Sequence, residues 1–289
     1  MARVSFAGLR RLAVALLWLL VFVIIGAGLS IGVGAIIGPL LGGRWWIVRN
    51  GLPEVIGFGA ATLVVGRWLD RHEWTALGWG APRRAPMWFA IGVALGGATA
   101  AAAIAMSLAD GARVSLTGLG GAYLPVAGAF ALGLLAAALG EELIFRGYPL
   151  RRLADAIGPG AATALLAIGF AVAHLNNPNV SALGAANIAL AAVWLSVAFF
   201  SGGMGLAWGL HAGWNVTLSL VFDAPVSGVR FDIPGVDYAL GRHAWVGGGA
   251  FGPEGGAVGT LALMAGTAVL LGPRLRRAGR WLAPAETPS

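Results

Sequence analysis

Long apolar runs separated by short polar gaps make up most of the chain, and it is the runs, not an alternation, that set the expected elements. Eight can be marked: Leu12 to Ile36, Leu52 to Val65, Trp88 to Ala109, Leu124 to Phe145, Gly160 to Leu175, Ala185 to Phe200, Gly205 to Phe222 and Val258 to Leu271. A helix needs roughly 20 apolar residues to cross the hydrocarbon core of a bilayer, and most of these runs approach or exceed that length. The second and fifth are short, as expected of spans that extend past their flanking charges or cross a locally thinned region. The pattern predicts an all-α fold, a polytopic membrane protein of about eight transmembrane helices. An outer-membrane barrel would need alternating segments of roughly ten residues, and continuous Ala/Leu/Val/Gly blocks stand in their place. The first run follows Arg3, Arg10 and Arg11 and imitates a secretory signal, but it is too long for a signal's apolar core and more spans follow, so it is expected in the mature protein.

Composition sharpens this picture. Of 289 residues, 58% are hydrophobic and 11% charged, and the mean hydropathy is +0.82, which excludes a water-soluble globular domain. Cysteine is absent, which removes disulfides, thiolate metal ligands and a cysteine nucleophile. The net charge of +7 comes from arginine alone, and the arginines lie in the gaps between apolar runs, which argues for membrane topology and against nucleic-acid binding. With the N-terminus inside, arginines 3, 10, 11, 67, 71, 83, 84, 146, 151, 152, 274, 276, 277 and 280 are cytoplasmic, and only 44, 49, 113, 230 and 242 are outside. Both termini are then expected in the cytoplasm. The all-arginine, Ala/Gly-rich usage points to a G+C-rich bacterial gene and so to a bacterial plasma membrane. Trp68, Trp74, Trp79 and Trp88 mark an interfacial stretch. The long connection from Val226 to Gly256 reads as an outer loop, solvated rather than a lid. The 47 glycines suit close helix packing in lipid, and no internal repeat or second soluble domain is visible.

Ionisable groups in apolar spans are costly and therefore informative. Glu141 and Glu142 close the run from Ala127 to Gly140, and His174, His211 and Asn215 lie in other apolar runs. Glu142 and Arg146 are four apart on one helix face and are expected to pair. Glu141 points about 100° away from Glu142 and lacks that partner, so desolvation suits it to act as a general base. If the fourth span runs as a helix to about Ile157 and the chain turns at Gly158-Pro159-Gly160, Glu141 and His174 lie about equally far from the turn. That puts both at the same depth, roughly 24 Å from it. Pro149 is the local irregularity that can kink or end that helix. His211 and Asn215, four apart, share a face of the seventh run.

A zinc site of Glu141, His174 and His211 is permitted by residue type, yet no HExxH motif is present and no second carboxylate is obviously left to act as base. Neither a GxSxG setting nor a pair of intramembrane aspartates is found. Water activated by Glu141 remains. The expected mechanism is hydrolysis of a peptide bond in a cavity inside the helix bundle. There Glu141 and His174 hold and deprotonate water, and His211 and Asn215 stabilise the oxyanion.

At these residues the chain resembles the CPBP family of intramembrane proteases, which includes CAAX prenyl endopeptidases and bacterial bacteriocin-processing or immunity proteins. The motifs are EExxxR (Glu141-Glu142-Leu143-Ile144-Phe145-Arg146), FxxxH (Phe170-Ala171-Val172-Ala173-His174) and HxxxN (His211-Ala212-Gly213-Trp214-Asn215). The resemblance covers about residues 124 to 222. It implies an eight-helix fold and a glutamate-dependent, metal-independent endopeptidase, with Glu142, Arg146 and Phe170 in support. The expected organisation is then N-terminal transmembrane helices over 1–120, a protease core over 121–222, and an outer loop, last helix and basic cytoplasmic tail over 223–289. No cofactor is expected, zinc being the disfavoured alternative. The expected partners are a membrane-anchored protein or peptide substrate, such as a leader peptide or membrane-anchored regulator, and the lipid bilayer, with no nucleic acid. Two rival readings are a non-catalytic immunity or scaffold protein of the same fold and a transporter using the same polar groups as a relay.

Overall fold

A chain surrounded by lipid must satisfy its backbone hydrogen bonds internally, and here the apolar runs do so as helices. The computed structural model describes residues 6–80, 83–118 and 120–275. Arg3, Arg276, Arg277 and Arg280, used above to orient the chain, and the basic tail lie outside the described residues. The helices are α1 (Phe6–Ile37), α2 (Trp46–Ala61), α3 (Ala85–Ala109), α4 (Tyr123–Phe145), α5 (Gly147–Ile157), α6 (Pro159–Ala173), α7 (Ala182–Val216), the single turn α8 (Ala244–Gly247) and α9 (Ala257–Leu275). Wider π-type turns carry α2 on through Thr62–Leu69 and α7 on through Thr217–Val221. Among the described residues five helical stretches are long and apolar enough to cross a bilayer, and Pro159–Ala173 and Ala257–Gly272 are shorter apolar helices. The protein is an all-α polytopic membrane protein. Leu17, Ile24 and Ile31 of α1 stand exposed, as side chains facing lipid do.

The stretch Ala182–Val221 has 40 residues, which as one straight rod would reach about 60 Å, twice a bilayer's hydrocarbon thickness. It does not run straight. Gly202 and Gly203 leave helical geometry, Gly203 with φ +71°, a conformation open to glycine but costly for other residues. The rings of Trp194 and Trp214, which sit at similar distances on either side of this break, lie 5.9 Å apart. α7 is therefore a helical hairpin, and its limbs are the sixth and seventh runs of the sequence. The second limb packs against α3 through small residues. A Cβ at Gly92 would meet the Leu206 carbonyl oxygen at 2.6 Å, and one at Gly213 the Cα of Val93 at 2.8 Å.

The fourth run does not continue as one helix to Ile157. The helix breaks at Arg146, because Pro149 has no N–H for the carbonyl of Phe145, and α5 starts on a new course. α5 is amphipathic. It buries Tyr148, Leu150 and Leu153, while Arg151 and Asp155 face outward and pair at 2.8 Å. Asp70 ties α5 to the segment after α2, accepting from the Tyr148 hydroxyl at 2.9 Å and Arg152 at 2.7 Å. Of the four tryptophans expected at an interface, Trp68 and Trp74 are exposed, while Trp79 and Trp88 pack against the core.

The loop from Val226 to Gly256 is not simply solvated. Strand β1 (Arg113–Leu116) pairs antiparallel with β2 (Val236–Ala239), Arg113 opposite Ala239 and Leu116 opposite Val236. Val226, Phe231, Ile233, Tyr238 and Phe251 are buried, and Phe231 stacks on Trp46 of α2 with ring centroids 6.1 Å apart. The side chain of His243 bonds Asp110 at 2.7 Å and its backbone N–H does so at 3.0 Å. The side-chain bond first, then the backbone one, holds the Asp110 carboxyl below the usual carboxylate range. Glycine-rich sequence concealed a folded cap.

Candidate active site

A cavity of about 530 Å³ opens between α2, α4, α6, both limbs of α7 and the folded cap. Three helices carry the motif residues into it. Glu141 and Glu142 sit in the last turns of α4, Phe170 in the last turn of α6 with His174 just beyond its end, and His211 and Asn215 in the second limb of α7. Glu141, His174, His211 and Asn215 line this cavity, and Glu142 is buried behind His211.

Glu142 and Arg146 form the expected pair one helical turn apart, with Nη1 to Oε1 at 3.3 Å, and both are buried, Glu142 at 0% and Arg146 at 1% exposure. The same Oε1 atom of Glu142 lies 2.9 Å from Nδ1 of His211. A carboxylate only accepts, so Nδ1 carries the proton and Nε2 is the nitrogen presented to the cavity. Arg146 also donates to the carbonyl of Ala192 at 3.4 Å, and its guanidinium lies 4.5 Å from the centroid of the Phe170 ring. The same ring meets the imidazole of His174, centroids 4.4 Å apart. The Phe170 carbonyl accepts from Nδ1 of His174 at 2.7 Å, which fixes Nε2 of His174 as the free lone pair. Phe170 thus holds His174 by both backbone and ring.

Between the two imidazoles stands Glu141. Its Oε2 is 3.8 Å from Nε2 of His174 and 3.8 Å from Nε2 of His211, and it is buried without a hydrogen-bond partner among the described residues. At 3.8 Å, a water bridging Oε2 to either nitrogen comes within hydrogen-bond reach of both atoms. Asn215, 9% exposed, lines the same cavity one turn beyond His211. Among the described residues no group of three or more His, Asp and Glu side chains has the arrangement of a metal site.

Two further carboxylates on the wall escaped the sequence reading. Glu54 of α2 lies within the second apolar run and is as anomalous there as Glu141 is in the fourth. Glu254 of the folded cap looked like one more loop charge, yet Oε1 accepts from the Trp214 indole at 2.7 Å. Its Oε2 accepts from the hydroxyl of Ser227 at 2.9 Å and from the Ser227 backbone N–H. Asn187 donates to the carbonyls of Glu254 at 2.8 Å and Gly256 at 2.9 Å. The cap is therefore tied to the helix that carries His211 and Asn215. Glu254→Ala is expected to speed amide exchange over 226–256 by about tenfold or more, since hydrogen bonds to a charged group are lost. Unchanged exchange there would contradict this role.

Residues 122–217 match the family model described as type II CAAX prenyl endopeptidase Rce1-like. The match covers about a third of the chain, contains every residue of the three motifs, and agrees with the resemblance read from them. The matched segment runs from the start of α4 to the end of α7, the stretch that builds the polar end of the cavity. The matching model describes a family of endopeptidases. No curated protein and no solved structure matches the chain.

Proposed function

We propose that the protein is an intramembrane endopeptidase that hydrolyses peptide bonds of membrane-associated proteins or peptides with water activated by Glu141. The observation that carries this reading is the unpartnered Oε2 of Glu141, equidistant at 3.8 Å from two imidazole nitrogens whose opposite ring atoms are already engaged. A water molecule there gives one proton to Glu141 and directs the other at the lone pair of His174. As its oxygen attacks the scissile carbonyl, Glu141 takes up the first proton. Charge builds on the carbonyl oxygen, and the Asn215 amide and a protonated His211, donating from Nε2 while Nδ1 remains on Glu142, stabilise it. The proton held by Glu141 then passes to the leaving amine as the C–N bond breaks. Glu142 and Arg146 hold His211, and Phe170 holds His174, so the donors are in place before charge develops.

The arginine distribution supports a plasma-membrane protein with both termini cytoplasmic. The clients are membrane-anchored proteins or peptides cut near the bilayer. The chemistry requires no metal, because base, water-holding group and oxyanion donors are all side chains of this chain. Purified protein in proteoliposomes is therefore expected to cleave a membrane-anchored peptide at an unchanged rate after treatment with a strong chelator. Full loss of cleavage with recovery on adding Zn²⁺ would overturn the metal-free mechanism, and absence of any cleavage across a membrane-proteome substrate set would overturn the enzyme.

A further inference from the structure

Glu54 has no task in the hydrolysis described above, although it lines the same cavity from α2. Asn50, one turn earlier on the same helix face, lines it too. Close packing of α2 on α4 sets their position. A Cβ at Gly51 would meet the backbone nitrogen of Ala137 at 2.6 Å, and one at Gly140 would meet the carboxylate of Glu54 at 2.9 Å. The Glu54 carboxylate thus lies against the residue that precedes Glu141.

Among the described residues Glu54 takes part in no hydrogen bond or ion pair, and the charged group acting on it is Glu141, of the same sign. No arginine among the described residues lines the cavity, and Arg146 is committed to Glu142 behind Phe170. Glu254 differs, both of its oxygens being occupied by Trp214 and Ser227. A carboxylate in a membrane-spanning helix is costly unless it has a partner, and the described residues supply none. The cavity is where a partner enters.

We propose that Glu54 and Asn50 form a cation subsite, and that the enzyme selects substrates with a lysine or arginine close to the scissile bond. The Glu54 carboxylate accepts charge-assisted hydrogen bonds from an ammonium or guanidinium group, and the Asn50 amide oxygen provides a second acceptor one turn away. The same wall repels an acidic residue at that place, so the subsite discriminates by attraction and by repulsion. This inference rests on the endopeptidase reading and names the substrate class of the same cavity.

The test uses the full chain in proteoliposomes with membrane-anchored peptides that differ only in carrying Lys, Gln or Glu at each position within three residues of the cut. At the responsive position the Lys peptide is expected to exceed the Gln peptide about tenfold in kcat/KM. In Glu54→Gln that ratio falls to about one, and in Glu54→Lys the preference inverts toward the Glu peptide. Binding is read separately in Glu141→Gln, where the Lys peptide is expected to bind about tenfold tighter than the Gln peptide, and in the Glu54→Gln/Glu141→Gln double variant, where the two bind equally. Equal handling of Lys and Gln peptides at every position by the wild type, in cleavage and in binding, would overturn the subsite. So would an intact Lys-to-Gln ratio in Glu54→Gln alongside a lower kcat on both peptides, which would make Glu54 a proton-handling partner of Glu141. Absence of cleavage of every peptide by the wild type would instead strike the endopeptidase reading, while the binding ratio still decides the subsite.

Discussion

Replacing Glu141 with glutamine is expected to lower peptide-bond cleavage by about 100- to 10,000-fold, the range over which a positioned general base contributes. Glutamine keeps the shape of the side chain and an acceptor oxygen, so the helix and its packing are preserved. What it loses is basicity. An amide takes no proton from water at neutral pH, and its NH₂ group turns one of the two acceptors around the water into a donor. Glu141→Asp moves the carboxylate back by one methylene from both imidazoles, each already at 3.8 Å, and is expected to retain only a small part of the activity. Both variants should reach the membrane in wild-type amounts, because Glu141 forms none of the buried bonds that hold α4 to α7. Normal turnover in Glu141→Gln, at equal expression, would show that the carboxylate is not the base.

The second large effect is on stability. Arg146→Met removes the guanidinium from a site where the carboxylate of Glu142 is fully buried, leaving that charge with only the His211 Nδ1–H. Removing one partner of a buried ion pair typically costs about 3 to 5 kcal/mol, because the remaining charge is unpaired and cannot reach water. The tie to the Ala192 carbonyl and the stacking on Phe170 are lost as well. Arg146→Met is therefore expected to unfold at a markedly lower temperature in detergent. The double variant Glu142→Gln/Arg146→Met removes both charges and is expected to recover most of that stability. It should not recover turnover, since a glutamine in place of Glu142 offers His211 no anionic partner with which to hold a proton on each nitrogen. Thermal unfolding and cleavage measured on the same preparations separate the two outcomes. Equal stability of the single and double variants would contradict a buried charge pair.

Much of this arrangement is written in local spacing. The four-residue separation of Glu142 and Arg146 fixes their pairing, and the same separation puts His211 and Asn215 on one face, because both follow from the helical repeat alone. The sixth and seventh runs are separable because Gly202-Gly203 interrupts the apolar pattern where the structure turns back. Long-range contacts were not legible. The bond from Trp214 to Glu254 joins residues 40 apart, and nothing near Glu254 in the sequence distinguishes it from the other loop charges. Phe231 and Tyr238 looked like side chains of a glycine-rich loop because burial depends on what lies above α2 and α3. Glu54 did leave a signal, a carboxylate inside an apolar run, but a run that starts at Leu52 hides the helix that begins at Trp46 and presents Asn50 with it. The bend at Arg146 came from Pro149, whose effect on direction cannot be read without the packing of α5. Glu141 and His174 nevertheless meet. Their proximity survives the bend because it depends on the packing of α4 against its neighbours and not on the path to the turn at Gly158.

In the mechanism proposed, Glu141 activates water and is never itself acylated. A single turnover in heavy-oxygen water, followed by mass measurement of the cleaved product and of the enzyme peptide containing Glu141, tests this directly. Heavy oxygen is expected in the new carboxylate of the product and none in Glu141. Heavy oxygen in the side chain of Glu141, left when water opens an anhydride between enzyme and substrate, would contradict water activation.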